Sequence, residues 1–212
     1  MGHLNVQSLR EAIKSGSIQG IDVEDISEDF QCHVCLQGKM CRAPFPKVSE
    51  RVTAKGQLIH SDVCGPMRVA SHGKKQYFTI FIDDFSGWCE VRFISQKNQV
   101  ISEFESFRAL VSTQHGEAIK CLQSDNGREY VNQDFDQLLR KHGILRRLTA
   151  PYNPEQNGVA ERRNRTLMEM ARCLLIQSEL PPTFWAKALN TANYIRNRSP
   201  TSKLKGRTPY ES

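Results

Sequence analysis

Apolar and polar positions follow two different periods along the chain, and the changes of period predict the order of its elements. Short runs rich in β-branched and aromatic residues predict strands over residues 57–63, 76–82, 88–94, 119–123 and 144–148. Apolar positions spaced by three and four residues predict helices over about 97–115, 132–142, 156–178 and 182–197. This order indicates an α/β protein with a mixed five-stranded sheet and helices on both faces.

The first 45 residues differ in character from the rest because they are acidic and contain few aromatic residues. The run Ser8-Leu9-Arg10-Glu11 has the form of a capping box, which predicts a helix that begins near Ser8. The next residues read as an extended linker. We therefore divide the chain into a segment over 1–45, a linker over 46–56 and a main domain over 57–212.

Three carboxylates stand at the predicted ends of elements in the main domain. Asp62 and Asp125 each follow the apolar core of a strand, and Glu161 lies near the start of a helix, with 35 residues between it and Asp125. In such sheets ligands gather at the carboxyl ends of parallel strands, so Asp62 and Asp125 are expected to reach one crevice. Three acids placed there can hold two divalent cations ~4 Å apart, as phosphodiester chemistry requires.

These acids could also have structural roles or be solvated surface groups. A single aspartate is more often a solvated or turn residue, and we read Asp83 and Asp84 in this way because they lie in the predicted hairpin turn. Glu161 on its own could be only a carboxylate that the helix dipole favours. Asp62 and Asp125 differ, because an unpaired charge directly after a buried strand is costly and a metal ion compensates it.

Charge and cysteine content narrow the class of protein. The formal charge is +6 with a pI near 9.0, and the basic residues concentrate in the C-terminal part, which favours a polyanionic partner or, alternatively, a solvated basic face. No apolar stretch approaches the roughly 20 residues that span a bilayer, and no secretory signal is present, so no membrane is expected. The seven scattered cysteines fit reduced thiols in the cytosol or nucleus.

Four ordered motifs give the chain a family resemblance. From Ile59 to Ser212 it resembles the integrase core of copia-type retrotransposons, a branch of the retroviral integrase family. The resemblance implies an RNase H-like fold and an acidic triad formed by Asp62, Asp125 and Glu161. The motifs are Ile59-His60-Ser61-Asp62-Val63-Cys64-Gly65-Pro66-Met67, Phe81-Ile82-Asp83-Asp84-Phe85-Ser86, Gln123-Ser124-Asp125-Asn126-Gly127-Arg128-Glu129-Tyr130 and the run from Pro151 to Leu167.

The resemblance also implies a reaction and its partners. The triad would hold two Mg²⁺ (or Mn²⁺) ions for trimming DNA 3′ ends and joining them to target DNA. Gln156, Arg162 and Arg165 would contact DNA phosphates, although the two arginines also fit a solvated helix face. The partners would be the element ends, target DNA and further copies of the chain in a homo-oligomer. The protein would be released from a polyprotein, assembled in the cytoplasm and active in the nucleus.

The family places a His-His-Cys-Cys zinc module ahead of the core. His3 resembles its second histidine, and Cys32 and Cys35 resemble its cysteine pair. The first histidine would lie upstream of Met1, so we expect a truncated chain whose Zn²⁺ site is incomplete. His33 or Cys41 as a replacement ligand, or a frayed arm without zinc, are the alternatives.

Two other functions remain open from the sequence. One is a catalytically silent DNA-binding fragment or a domesticated derivative of a transposable element. The other is an RNase H-type nuclease on the same fold, which the segment around Glu161 matches less well. Strand transfer of a DNA end, measured with and without the acidic triad, separates the enzyme from the binding module.

Overall fold

The computed structural model describes residues 6–17, 20, 33–34, 52–116, 118–149 and 157–212, which fall into two compact units. The first unit covers Met1–Ser49 and contains helix α1 (Val6–Lys14). The short helix predicted near Ser8 is present, but it begins two residues earlier at Val6, so Ser8 lies inside α1 and is not its N-cap. The Ser-x-x-Glu pattern also occurs within helices, where both residues are tolerated at exposed positions.

The second unit, Glu50–Ser212, contains the five-stranded sheet. Its strands lie side by side in the order β3-β2-β1-β4-β5. The first three strands pair antiparallel, and β4 and β5 join β1 in parallel, which confirms the mixed sheet predicted from the sequence. The strands are β1 (Ile59–Cys64), β2 (Tyr77–Asp83), β3 (Cys89–Ile94), β4 (Cys121–Ser124) and β5 (Leu145–Leu148).

Four α-helices of the second unit cover this sheet: α2 (Val100–His115), α3 (Gln133–Lys141), α4 (Gly158–Ser178) and α5 (Trp185–Asn197). Helices α2 and α5 are preceded by 3₁₀ turns over Lys97–Gln99 and Pro182–Phe184, and a third 3₁₀ turn covers Ser202–Leu204. No helix in the described part of the chain has the length and apolar character that crossing a bilayer requires.

One face of the sheet packs against α2 and α3 through aromatic side chains, and we call it the aromatic face. The Phe81 and Phe107 rings stack with centroids 4.9 Å apart, and the centroids of Phe104 and Phe135 lie 5.7 Å apart. All four residues are buried, together with Tyr130. Aromatic rings bury a large area each, so this face supplies much of the hydrophobic stabilisation.

The opposite face packs against α4 and α5, and we call it the asparagine face. Its helices present small residues, including Ala160, Ala171, Ala188 and Ala192. Small side chains let the helices approach the sheet, and buried asparagines bond to it there. The side chain of Asn197 forms two hydrogen bonds with the backbone of Cys89 in the edge strand β3. Its Oδ1 accepts from the Cys89 amide at 3.0 Å, and its Nδ2 donates to the Cys89 carbonyl at 2.8 Å.

The hairpin acids Asp83 and Asp84 have structural partners, as the sequence predicts. Asp83 is buried and accepts from the amide of Gly56 at 2.9 Å and from the amide and hydroxyl of Ser86 at 2.8 and 2.7 Å. Asp84 Oδ1 lies 3.2 Å from Nε2 of His60 in β1 and 3.1 Å from Lys203 Nζ. Both acids therefore fix the β2–β3 turn.

Candidate active site

Asp62 lies in β1, and contacts from three directions fix it. Its Oδ1 accepts from the amide of Val63 at 2.9 Å, and its Oδ2 accepts from Nδ2 of Asn164 in α4 at 2.8 Å. The hydroxyl of Thr79 in β2 donates to the Asp62 carbonyl at 3.1 Å. The carboxylate is therefore tied to α4 while its backbone is tied to the sheet.

Asp125 directly follows β4, where a tight turn leads towards α3. Its Oδ1 accepts from the Gly127 amide at 3.0 Å, and the side-chain amide of Asn126 donates to the carbonyl of Thr149 at 2.8 Å. The turn is also tied to β1, because the hydroxyls of Tyr130 and Ser61 lie 2.6 Å apart and both side chains are fully buried. Ser61 precedes Asp62, so one hydrogen bond links the neighbourhoods of both aspartates.

Glu161 lies in the first turn of α4 and is exposed. The start of this helix is anchored to β1 by Asn157, whose Nδ2 donates to the Ser61 carbonyl at 3.4 Å. Asn164 holds the next turn through its bond to Asp62. Glu161 therefore stands between two asparagines that attach α4 beside Asp62.

The three acids lie close enough to influence one another electrostatically. Burial, followed by the charge of Asp125 and, more weakly, of Glu161, raises the pKa of Asp62 from 3.8 to about 6. The hydrogen bonds from Val63 and Asn164 act in the opposite direction and do not offset this rise. The charges of the carboxylates at the end of β4 and in the first turn of α4 therefore reach Asp62 in β1, while the role of the three acids as one site stays a prediction.

The donor set at this site suits a hard divalent cation, which prefers oxygen ligands. A cation would relieve the repulsion that raises the pKa of Asp62. The side-chain oxygens of Asn157 and Asn164 are also buried and find no hydrogen-bond partner among the described residues. In the conformation described, no group of three or more His, Cys, Asp or Glu side chains in these parts of the chain is arranged to hold a metal ion. Because Glu161 is exposed, a change of its rotamer is sterically open.

The remaining predicted site residues are only partly described. Arg162 and Arg165 are exposed on α4, on the turns that follow Glu161. Gln156, His3, Cys32 and Cys35 lie outside the described residues, so their roles in binding DNA and zinc stay predictions from sequence. His33 is described and exposed.

Three residues near the acids have no role in the prediction from sequence. Asn157 and Asn164 were quoted within a motif, and their spacing of seven residues around Glu161 is a helical signal for one side of α4. Lys97 was also missed: its ammonium lies 3.0 Å from Glu129 Oε1, and the charge of Asp125 adds to the rise in the pKa of Lys97 that Glu129 causes. No local pattern in the sequence joins residues 97 and 129.

Comparison with known proteins assigns the class. Residues 52–154 match the family described as the integrase core domain. Together with the fold, this match assigns residues 52–154 to the integrase core domain family.

Within that family the relatives are polyproteins of plant and yeast transposons of the Ty1/copia type. The chain is 41% identical over 204 residues to the retrovirus-related Pol polyprotein from transposon TNT 1-94 of Nicotiana tabacum, covering 96% of the chain and 15% of that polyprotein. It is 29% identical over 219 residues to the transposon Ty1-DR4 Gag-Pol polyprotein of Saccharomyces cerevisiae, covering 98% of the chain and 14% of that polyprotein. The chain therefore spans about a seventh of the length of these relatives.

Solved structures agree with the fold. A chain of the simian T-cell lymphotropic virus intasome, in complex with the PP2A regulatory subunit B56 gamma, superposes with a TM-score of 0.70 at 17% identity over 98% of this chain and 73% of that chain. The HTLV-2 integrase catalytic core domain, in complex with magnesium in a trimeric form, gives a TM-score of 0.56 at 18% identity over 76% of this chain and 98% of that one. The RNase H-like fold predicted from the sequence is thus confirmed.

Proposed function

We propose that this chain carries the catalytic core of a retrotransposon integrase, which trims DNA 3′ ends and joins them to target DNA. The observation that supports this proposal is the raised pKa of Asp62, which reflects a buried carboxylate crowded by Asp125 and Glu161. Such an arrangement is unfavourable for a purely structural role, because each acid destabilises the charged form of its neighbour.

Asp62, Asp125 and Glu161 are the residues that would hold Mg²⁺ or Mn²⁺. When bound, the cations lower the pKa of an attacking water or 3′-hydroxyl and stabilise the leaving oxygen. Asn164 keeps one Asp62 oxygen directed towards α4, and the Asp125 turn keeps its carboxylate at the end of β4. The chain thus contributes orientation, since a preorganised ligand set avoids the cost of ordering it during the reaction.

DNA is the substrate in this proposal, and Arg162, Arg165 and Gln156 contact its phosphates. Arginine suits this role because its planar guanidinium bonds phosphate oxygens in pairs. The working form is a homo-oligomer that acts in the nucleus after cytoplasmic assembly. The related HTLV-2 core has been solved in dimeric and trimeric forms, which supports the proposal of an oligomer.

Strand transfer tests the proposal. The chain is incubated with a labelled DNA end and target DNA in Mg²⁺ or Mn²⁺, beside Asp125→Asn and an EDTA control. We expect joined products from the unaltered chain and a reduction of roughly 10³-fold in the variant, since loss of one catalytic group removes several kcal/mol of transition-state stabilisation. Equal activity in both proteins excludes a triad mechanism. Binding of DNA without joining in either protein favours the catalytically silent binding module.

A further inference from the structure

Lys97 stands beside the acid site without belonging to the acidic triad. It opens the 3₁₀ turn ahead of α2, and its side chain is 46% exposed. Its Nζ lies 3.0 Å from Oε1 of Glu129, and the carboxylate of Asp125 also stabilises its charged form. A single half-exposed ammonium therefore faces two carboxylates, one of which is a proposed cation ligand.

Glu129 is packed against the same turn as Asp125. Its side chain is only 9% exposed. A Cβ placed on Gly127 would lie 2.8 Å from Glu129 Oε2 and 3.0 Å from Asp125 Oδ1, so oxygens of both carboxylates lie within 3.0 Å of one point. A side chain at position 127 would therefore displace the Glu129 carboxylate from its place beside Asp125.

Electrostatics make this arrangement significant for a polyanionic substrate. A backbone phosphate that approaches Asp62, Asp125, Glu129 and Glu161 meets like charges on all of them. Lys97 is a compact cation at the rim of this group, and its ammonium carries three donors on a flexible stem. Glu129 occupies one donor, and the exposed fraction of the side chain leaves room for an oxygen of a phosphate.

We infer that Lys97 is a phosphate-binding residue of the active site, and that Glu129 holds its ammonium at the position a DNA phosphate uses. This inference rests on the proposed function, because it assumes that DNA is the substrate. Glu129 acts as a competing anion: it orders Lys97 in the free protein and weakens the hold of Lys97 on the incoming phosphate. The rival explanation is an ion pair that only neutralises Glu129.

The two explanations differ in whether the effect of Glu129→Gln depends on Lys97. If Lys97 binds phosphate, removing the competing carboxylate tightens DNA binding when Lys97 is present and not when Met replaces it. If the pair is only structural, the loss of the Glu129 charge changes DNA binding equally with Lys97 and with Met at position 97. Lys97→Met weakens binding roughly tenfold near 0.1 M salt and reduces the slope of log K against log salt by about one, as expected for the loss of one phosphate contact. The double variant behaves like Lys97→Met.

Fluorescence anisotropy of a labelled duplex oligonucleotide, titrated in Mg²⁺ over a range of salt concentrations, measures these effects on the full chain. Lys187→Met is the matched control, because Lys187 is an exposed lysine on α5 that lines a different surface together with Arg92 and Thr183. Thermal denaturation of every variant is recorded in parallel, and Lys97→Gln takes the place of Lys97→Met if the latter does not fold.

The outcomes separate this inference from the proposed function. The phosphate role of Lys97 is overturned if Lys97→Met keeps the salt slope and Glu129→Gln keeps the affinity of the unaltered chain. The proposed function is retained in that case as long as the unaltered chain binds DNA. Loss of thermal stability in Lys97→Met that Glu129→Gln restores, without any change in DNA affinity, identifies the structural ion pair. Absence of DNA binding by the unaltered chain at every salt concentration overturns both proposals.

Discussion

The two faces of the sheet use different chemistry to hold their helices. On the aromatic face, four phenylalanine rings pack against one another through apolar contacts: Phe81, Phe104, Phe107 and Phe135. On the asparagine face, alanines bring α4 and α5 close, and buried amide side chains bond to Asp62 and Cys89. Apolar contacts tolerate small shifts, whereas a hydrogen bond fixes distance and direction. The aromatic face therefore acts mainly through apolar stabilisation, and the asparagine face also positions Asp62 and the start of α4 with Glu161.

The first test of this difference removes a buried ring from the aromatic face. Phe104→Ala removes a fully buried ring, so we expect the free energy of unfolding to fall by about 3–5 kcal/mol. Urea denaturation at low temperature measures the loss. Strand transfer per folded molecule should be retained, because Phe104 contacts none of the acids. Phe184→Ala, at a half-buried ring, is the milder control. A selective loss of activity in a stable Phe104→Ala protein would refute the division of roles.

The second test removes one amide from the asparagine face. Asn164→Ala frees the Asp62 carboxylate from α4, so we expect strand transfer to fall roughly 10–100-fold, in line with 1–3 kcal/mol for a hydrogen bond to a charged group. Asn193→Ala is the matched control, since Asn193 is also a buried asparagine but bonds to the Cys89 carbonyl. Both variants should lose similar stability by thermal denaturation. Equal activity losses in the two variants would show that positioning is not specific to Asn164.

The third test concerns the cost of grouping the acids. The pKa of Asp62 is raised from 3.8 to about 6, so the folded protein binds the proton more tightly than the unfolded chain. Stability of the metal-free protein should therefore fall as pH rises from about 4 to about 6, by on the order of 1–3 kcal/mol from this group. Asp62→Asn should lack this decline and unfold at a higher temperature than the unaltered chain at pH 7.5 in EDTA.

Adding Mg²⁺ to the same two proteins supplies the control for that experiment. A cation held by the acids stabilises the folded state by mass action, so the unaltered chain should gain thermal stability and Asp62→Asn should gain less. A pH profile that is the same in both proteins would mean that Asp62 does not carry the raised pKa.

The smallest expected effect on stability concerns the hydrogen bond between Tyr130 and Ser61. Tyr130 belongs to the aromatic face, yet its hydroxyl bonds to Ser61 beside Asp62. Tyr130→Phe should cost about 1 kcal/mol of stability, the usual net value of one hydrogen bond. Ser61→Ala should add little to it in a double variant, because both changes break the same bond. Urea midpoints of the four proteins give the coupling, and fully additive losses would show that the hydroxyls do not interact.

Much of this arrangement was predictable from sequence because it depends on local periodicity. The apolar runs predicted all five strands to within two residues at every end, and the expectation that Asp62 and Asp125 lie on neighbouring parallel strands agrees with the pairing of β1 and β4. Helix starts were less predictable. The segments at Lys97 and Pro182 begin as 3₁₀ turns, which share the short-range spacing of an α-helix.

Contacts between distant residues account for what the sequence could not reveal. The bond from Asn164 to Asp62 spans 102 residues, and the pair of Lys97 and Glu129 spans 32. An asparagine inside a helix or a lysine before one has the same local signature whether it contacts solvent or an active-site acid. Only the chain path determined by the sheet order brings these side chains to the acids.

The amide of Asn197 has a consequence for the outer boundary of the sheet. A strand at the edge offers its outward N–H and C=O groups to any extended chain, which is how sheets grow between molecules. Asn197 occupies both groups of Cys89 at once, as the backbone of another strand would. The backbone groups with which a further strand would first pair at that end of β3 are therefore already hydrogen-bonded. A foreign strand would have to displace these two hydrogen bonds and the one that Asn193 donates to the Cys89 carbonyl, so side chains of α5 limit growth of the sheet at this corner.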